Sequence, residues 1–320
     1  MIAVVGEALI DLVAEDTAGS YRAVPGGSPA NVALTLARLE QPVRLLARLG
    51  SDGFGQRIRG HLHANGVDLT WAVSAGESTS LVVATLDDSG QATYQCYLTG
   101  TADWQWTTAE LPSFADTGLT ALHSGSLALA LAPGAAVVEE LFARERDRGA
   151  LTLSIDLNLR PTIVPDRVGE QRRVERQVRS AHLVKASEED LDWLYPDRTI
   201  EQVMAEWRAA GVACAVVTRG AAGSCLLAPD GAMYRQPARR GEVVDTVGAG
   251  DSFTGGLLAA LADFGALGDQ PGARLAAVTP SQWRQGLHQA STIAALTCGR
   301  RGADPPTLAD AVAAFPPGSA

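Results

Sequence analysis

Along the chain, short apolar runs alternate with longer segments in which apolar positions recur every three or four residues, the rhythm of a strand followed by a helix. The runs at 2–5, 43–49, 119–123, 151–156, 182–185 and 212–218 predict strands. Between them, 29–39 carries Val32, Leu36 and Leu39 on one face, and 54–64 carries Phe54, Ile58 and Leu62 before a stop at Gly66. Such strands and helices build a largely parallel sheet covered by helices on both faces. Two stretches, 10–24 and 70–98, break the rhythm. In the second, Leu81, Val83 and Thr85 alternate opposite Thr93, Gln95 and Tyr97 across the turn Asp87-Asp88-Ser89-Gly90. They predict a small accessory β-sheet inserted in one α/β domain spanning 1–320. Because it flanks the glycines at Gly26, it is expected to act as a lid.

Composition narrows the partners. The chain has 320 residues, 46% of them apolar, and a formal charge of −10 from 26 basic and 36 acidic residues. Nucleic-acid and membrane-surface roles need clustered Lys and Arg, so a small-molecule ligand is expected. Cys96, Cys214, Cys225 and Cys298 lack the spacing of a zinc or redox site and read as reduced thiols. No apolar run approaches the roughly 20 residues that span a bilayer, and no basic region precedes the apolar start. A cytosolic protein is expected. The five histidines form no nucleophilic set.

Two glycine-rich turns carry the candidate chemistry. In Asp245-Thr246-Val247-Gly248-Ala249-Gly250-Asp251-Ser252-Phe253-Thr254-Gly255-Gly256, the turn leads into a helix with Phe253, Leu257, Leu258 and Leu261 on one face. Gly248, Ala249 and Gly250 would present free N–H groups at the positive end of that helix, a place that collects phosphate oxygens. Asp251, in its first turn, is positioned to take a proton from an attacking hydroxyl, although an Asp there is also an ordinary cap. No Gly-Lys-Ser/Thr follows and position 253 is Phe, which excludes a P-loop and a dinucleotide fingerprint. In Pro25-Gly26-Gly27-Ser28-Pro29-Ala30-Asn31, the glycines allow close backbone approach and Asn31 offers donor and acceptor to a polyol, or packs locally. Asp11 leaves the first strand where open α/β sheets bind ligands, and alone it reads equally as a turn residue.

Taken in order, these motifs, with Gly50-Ser51-Asp52-Gly53-Phe54-Gly55 between them, resemble the ribokinase or PfkB family of carbohydrate kinases from Gly6 to about Pro306. The resemblance implies a ribokinase-like three-layer α/β sandwich with a β lid, ATP as donor, Asp251 as base and Gly248 to Gly250 as anion hole. It implies Asp11, Gly26, Gly27, Asn31 and Arg160 as sugar ligands. For the nucleotide it implies Lys185, then Thr218, Arg219, Gly220 and Gly223, with Ser291 near the adenine. The family's Asn-x-x-Glu motif is here Ser187-Glu188-Glu189-Asp190, so Asp190 would orient water on Mg²⁺. A K⁺ beside the anion hole would use Asp245 and main-chain oxygens of Val247, Thr297, Arg300 and Gly302.

The segments Gly6-Glu7-Ala8-Leu9-Ile10-Asp11, His123-Ser124-Gly125-Ser126 and Asp156-Leu157-Asn158-Leu159-Arg160 are most similar to the fructokinase branch. Kinases of 2-keto-3-deoxygluconate commonly present an Arg from the lid, where this chain has Leu98, so a neutral ketohexose is favoured, with Tyr97 and Trp104 as walls or as core. A keto-acid or nucleoside kinase and a non-catalytic sugar or nucleotide sensor are the alternatives. The lid edge is a candidate homodimer contact.

Overall fold

The computed structural model describes residues 1–15, 19–86, 92–115, 117–239 and 241–314. Its strands are β1 (Ile2–Val5), β2 (Leu9–Ala14), β3 (Tyr21–Gly26), β4 (Val43–Leu46), β5 (Arg48–Gly50), β6 (Val73–Ala75), β7 (Leu81–Leu86), β8 (Ala92–Tyr97), β9 (Ala121–Gly125), β10 (Thr152–Asp156), β11 (Leu183–Ser187), β12 (Cys214–Thr218), β13 (Ser224–Leu227) and β14 (Met233–Gln236). The helices are α1 (Ser28–Arg38), α2 (Gly53–Ala64), α3 (Gly134–Arg148), α4 (Arg167–Arg179), α5 (Glu188–Leu194), α6 (Ile200–Ala209), α7 (Ala249–Asp263), α8 (Pro271–Ala276), α9 (Pro280–Cys298) and α10 (Leu308–Ala314).

The main sheet runs β14-β13-β12-β11-β10-β9-β1-β4, parallel from β12 to β4, with β13 and β14 antiparallel at one edge. Strand alternation sorts the core into two layers. Ile2, Val4, Leu183 and Val216 pack with Val32 and Leu36 of α1, Phe253 and Leu257 of α7, and Ile293 of α9. Their neighbours Ala3, Val5, Val184 and Val217 face the other way, onto Val138 of α3, Val174 of α4 and Trp207 of α6. The result is the expected helix–sheet–helix sandwich. Among the described residues no helix is long and apolar enough to cross a membrane.

A second sheet, β3-β2-β7-β8, stands apart from the first. Its hairpin has the register that alternation predicts: Leu81 opposite Tyr97, Val83 opposite Gln95, Thr85 opposite Thr93. The turn at 87–90 lies outside the described residues, as do 16–18 of the first lid segment. Residues 70–80 do not join this sheet, because β6 pairs with β5 instead. The run at 43–49 is likewise two strands. Buried Arg48 breaks it, since its guanidinium reaches Glu77 (2.8 Å), Glu110 and the carbonyl of Ala102 (3.0 Å), partners that an apolar sheet strand cannot offer.

β1 lies between β4 and β9, so the chain leaves it in both directions and opens a crevice at the carboxyl ends of the strands. The lid pair β2–β3 departs from that end, and α1 returns to it. Helices α1 and α7 meet closely: a Cβ on Gly255 would lie 2.7 Å from the Cβ and Cγ2 of buried Thr35. Gly255→Ala should therefore destabilise the fold by about 1–3 kcal/mol, read as a lower midpoint in thermal or urea unfolding; an unchanged midpoint would contradict this packing.

Candidate active site

The first turn of α7 opens at the carboxyl edge. Gly248 precedes it with φ 76°, and a Cβ there would lie 2.5 Å from the Cβ of Ala303, so both conformation and space require glycine. Of the three expected anion-hole amides, Ala249 N–H donates to Thr246 O (3.2 Å). The amides of Gly248, Gly250 and Asp251 have no acceptor among the described residues. With the helix dipole behind them they fit an anionic oxygen.

Asp251, buried, faces the start of α1. Its Oδ1 accepts from Ser28 Oγ (2.7 Å) and its Oδ2 from Asn31 Nδ2 (2.8 Å). Asn158, from the loop after β10, donates to Ser28 Oγ (2.9 Å) and, at 3.4 Å, to Asp251 Oδ1. The sequence reading missed Ser28 and Asn158. A Ser at a helix start reads as a cap, and nothing in sequence spacing links positions 28, 158 and 251. Asn158 (φ 39°) and Ser126 (φ 56°) both hold left-handed backbone at the carboxyl edge, the kind of strain that gathers at functional sites.

Asp11 lies half-buried on β2. A Cβ on Gly26 would come within 2.2 Å of its Oδ2, so the first glycine of the pair makes room for this carboxylate. The second, Gly27 (φ 103°), passes so near β1's exit that a Cβ would lie 2.6 Å from Glu7 O. Burial pushes Asp11 up to about 6, with the Arg160 guanidinium opposing and Asp251 adding to the rise. Arg160 is exposed and folds over its own loop, donating to Asn158 O (3.0 Å), Asn158 Oδ1 (2.6 Å) and Leu159 O (2.9 Å). Asp11, Gly26, Gly27, Asn31, Arg160 and Asp251 thus gather at one place.

Beneath them are two acids that hydrophobic patterning does not reveal. Glu7 Oε2 accepts from Ala128 N–H (3.0 Å), and Asp103 accepts from Ala8 N–H (2.8 Å) and Ser80 Oγ (2.5 Å). Burial pushes Glu7 up to about 8 and Asp103 to about 6. Leu98 is buried with Trp104 and Leu127, so Trp104 is core, whereas Tyr97 is exposed on β8.

Among the residues expected to meet the nucleotide, Thr218 ends β12 in register with Ser187 of β11. Arg219 Nε donates to Glu188 Oε1 (2.9 Å), and Gly220 and Gly223 shape the turn, a Cβ on Gly223 falling 2.1 Å from Gln236 O. Ser291 is buried in α9. Two more of the residues expected near the nucleotide are buried with protein partners. Lys185 is buried with its ammonium on Asp156, because β11 points it into the layer beneath α7. Asp190 caps α5: its Oδ2 accepts from Ser187 N–H (2.8 Å) and its Oδ1 from Leu159 N–H (2.8 Å), so both oxygens already serve backbone amides.

The two loops expected to hold a cation, 245–247 and 297–302, are tied to each other through Asp245. Asp245 accepts from Val247 N–H (3.0 Å) and Gly302 N–H (2.8 Å), and Arg300 N–H donates to Thr297 O (2.9 Å). Among the described residues no group of three or more His, Cys, Asp or Glu could hold a metal ion.

A parallel sheet under a small lid, with open amides at a helix start and a carboxylate among polyol-type ligands, defines a small-molecule kinase. The description "pfkB family carbohydrate kinase" matches residues 1–310, and the chain belongs to that family. It is 35% identical over 265 residues to a fructokinase of Rhizobium leguminosarum bv. trifolii, covering 82% of this chain and 79% of the relative. A fructokinase of Xylella fastidiosa with bound ATP superposes with TM-score 0.89 at 28% identity, covering 98% and 97% of the two chains. A fructokinase double mutant of Vibrio cholerae O395, bound to fructose, ADP and potassium ion, superposes with TM-score 0.80 at 29% identity, covering 94% and 93%. The chain is a fructokinase-like carbohydrate kinase.

Glu7 makes stability depend on pH. Its folded value lies above its unfolded one, so its contribution is complete below about pH 4.5 and is lost as pH rises to about 8. Glu7→Gln should remove up to about 1.4 kcal/mol per pH unit of that decline, measured by urea unfolding at pH 5, 6.5 and 8; parallel wild-type and variant profiles would contradict the raised acid.

Proposed function

We propose that this chain is an ATP-dependent fructokinase, transferring the γ-phosphoryl group to a hydroxyl of a neutral ketohexose. The observation that carries this reading is Asp251: its carboxylate is fixed by Ser28 and Asn31 beside the open amides of Gly248 and Gly250. The sugar would lie between the lid and the carboxyl edge, on Asp11, Asn31, Arg160 and the backbone of Gly26 and Gly27. Asp251 takes the hydroxyl proton as the oxygen attacks phosphorus and the bond to the leaving ADP breaks. The amides at the start of α7, with Ala249 shaping the turn, stabilise the charge on the transferring group. Leu98 supports a neutral sugar, because it is packed away and the lid offers no cation there to a substrate carboxylate.

Thr218, Arg219, Gly220, Gly223 and Ser291 would line the nucleotide. Mg²⁺ fits as an ion held by phosphates and water, which suits a site without clustered carboxylates. K⁺ would rest on the loops 245–247 and 297–302, with Asp245 and the main-chain oxygens of Val247, Thr297, Arg300 and Gly302 as its ligands; bound there, it stiffens the turn electrostatically. Tyr21 and Tyr97, exposed on the outer strands β3 and β8, favour a homodimer through the lid. ATP as donor and four free thiols suit the cytoplasm.

In a coupled ADP assay, fructose should exceed other hexoses, ribosides and sugar acids in kcat/KM; preference for a keto acid or a nucleoside would overturn the substrate assignment. Asp251→Asn should lower kcat by about 10³-fold while ATP still binds with near-native affinity by calorimetry; full activity would remove Asp251 as the base. Replacing K⁺ with a large organic cation should lower kcat, and indifference to that exchange would remove the ion.

A further inference from the structure

The lid sheet is rooted along one edge. There β3 ends, β2 and β7 begin and β8 ends, with Gly26 opposite Leu9, Leu81 beside Ile10 and Tyr97 opposite Leu81. Asp103, in the short helical turn Ala102–Trp104, reaches the two strands that begin at this edge. Its carboxylate accepts from Ala8 N–H, just before β2 (2.8 Å), and from Ser80 Oγ, just before β7 (2.5 Å).

Two hydroxyls extend the tie to a third strand. Ser80 Oγ lies 2.6 Å from Thr101 Oγ1, which donates to Leu98 O (2.8 Å), where β8 has just ended. Ser80 O in turn accepts from Ile10 N–H (3.1 Å), so β2 and β7 are also joined directly at their start. Arg48 backs the assembly: its Nε donates to Ala102 O (3.0 Å) and its Nη2 to Glu77 (2.8 Å), which holds the segments carrying Asp103 and Ser80 against each other. Asp103 and Ser80 are 2% and 0% exposed, and both oxygens of the carboxylate are engaged by the lid's root.

What this root controls is the position of Asp11. Asp11 lies three residues beyond Ala8 on β2, about 10 Å along an extended strand, so a tilt of about 10° at Ala8 would carry it about 2 Å, more than a hydrogen bond tolerates. Its carboxylate has little room to compensate, since it lies where a Cβ on Gly26 would come within 2.2 Å. Burying an acid costs desolvation. Held in a turn that Arg48 fixes, this one serves two strand starts at once and thereby sets the angle at which the lid leaves the sheet.

We propose that Asp103, through Ala8 and Ser80, latches the root of the lid and is a positioning residue for the sugar, holding Asp11 in place beside Asp251. The inference rests on the reading of Asp11 as a sugar ligand.

In the coupled ADP assay, Asp103→Ala should raise KM for fructose about tenfold and leave KM for ATP within about twofold of wild type. Ser80→Ala, which removes one hydroxyl and little volume, should raise KM for fructose about threefold, and it carries the test where Asp103→Ala does not fold. Because the latch acts through Asp11, adding either change to Asp11→Ala should raise KM for fructose no further than Asp11→Ala alone. Wild-type KM for fructose in the folded latch variants, equal losses for fructose and ATP, or losses that add to that of Asp11→Ala would each overturn the proposal. Wild-type KM for fructose in Asp11→Ala itself would instead defeat the placement of Asp11 on which it rests.

Discussion

The carboxylate of Asp251 ties the two ends of the fold together. Its bonds to Ser28 and Asn31 span more than two hundred residues of sequence and join the first turn of α7 to the first turn of α1. That junction sets where the open amides of α7 lie relative to Asp11, Gly26 and Gly27. Gly255 against Thr35 lets the helices approach closely enough to make it. In an open α/β sheet the crevice arises where strand order reverses, and here both helices and the lid converge on the carboxyl end of β1.

Charge is distributed around this junction in two tiers. The upper tier, Asp11, Arg160 and Asp251, is the one a sugar would meet, and Arg160 moderates the effect of burying Asp11. The lower tier is sealed: Glu7 and Asp103 under the lid's root, Asp156 and Lys185 beneath α7. Glu7 and Asp103 accept backbone amides from segments remote in sequence, so desolvated acids pin the chain where it passes from sheet to lid. Fixing groups on rigid elements before substrate arrives is what electrostatic catalysis requires.

Much of this was legible in the sequence. Alternation identified the parallel strands, the register of the lid hairpin and the helices at 29–39 and 54–64, because burial on a strand or helix imposes periods of about 2 and 3.6. The break at Arg48 was not legible, since an apolar run interrupted by one charge reads as one strand until the partners of that charge are known. The motifs around Gly26 and Gly248 were legible as glycine turns entering helices. Lys185 and Asp190 were assigned to the nucleotide and its Mg²⁺ by resemblance alone, and their hydrogen-bond partners, Asp156 for one and the backbone amides of Ser187 and Leu159 for the other, were not legible because they lie on other elements.

Sequence by itself determined the layers and the class of ligand and singled out Asp251 as the candidate base, since these depend on local periodicity, net charge and the backbone freedom of glycine. Only the tertiary structure decided that Ser28 and Asn158 hold Asp251, that Glu7 and Asp103 share a buried floor, and that Lys185 lies behind Gly250. Those relations join residues far apart in the chain through hydrogen bonds and charges, and such contacts leave no periodic trace along it.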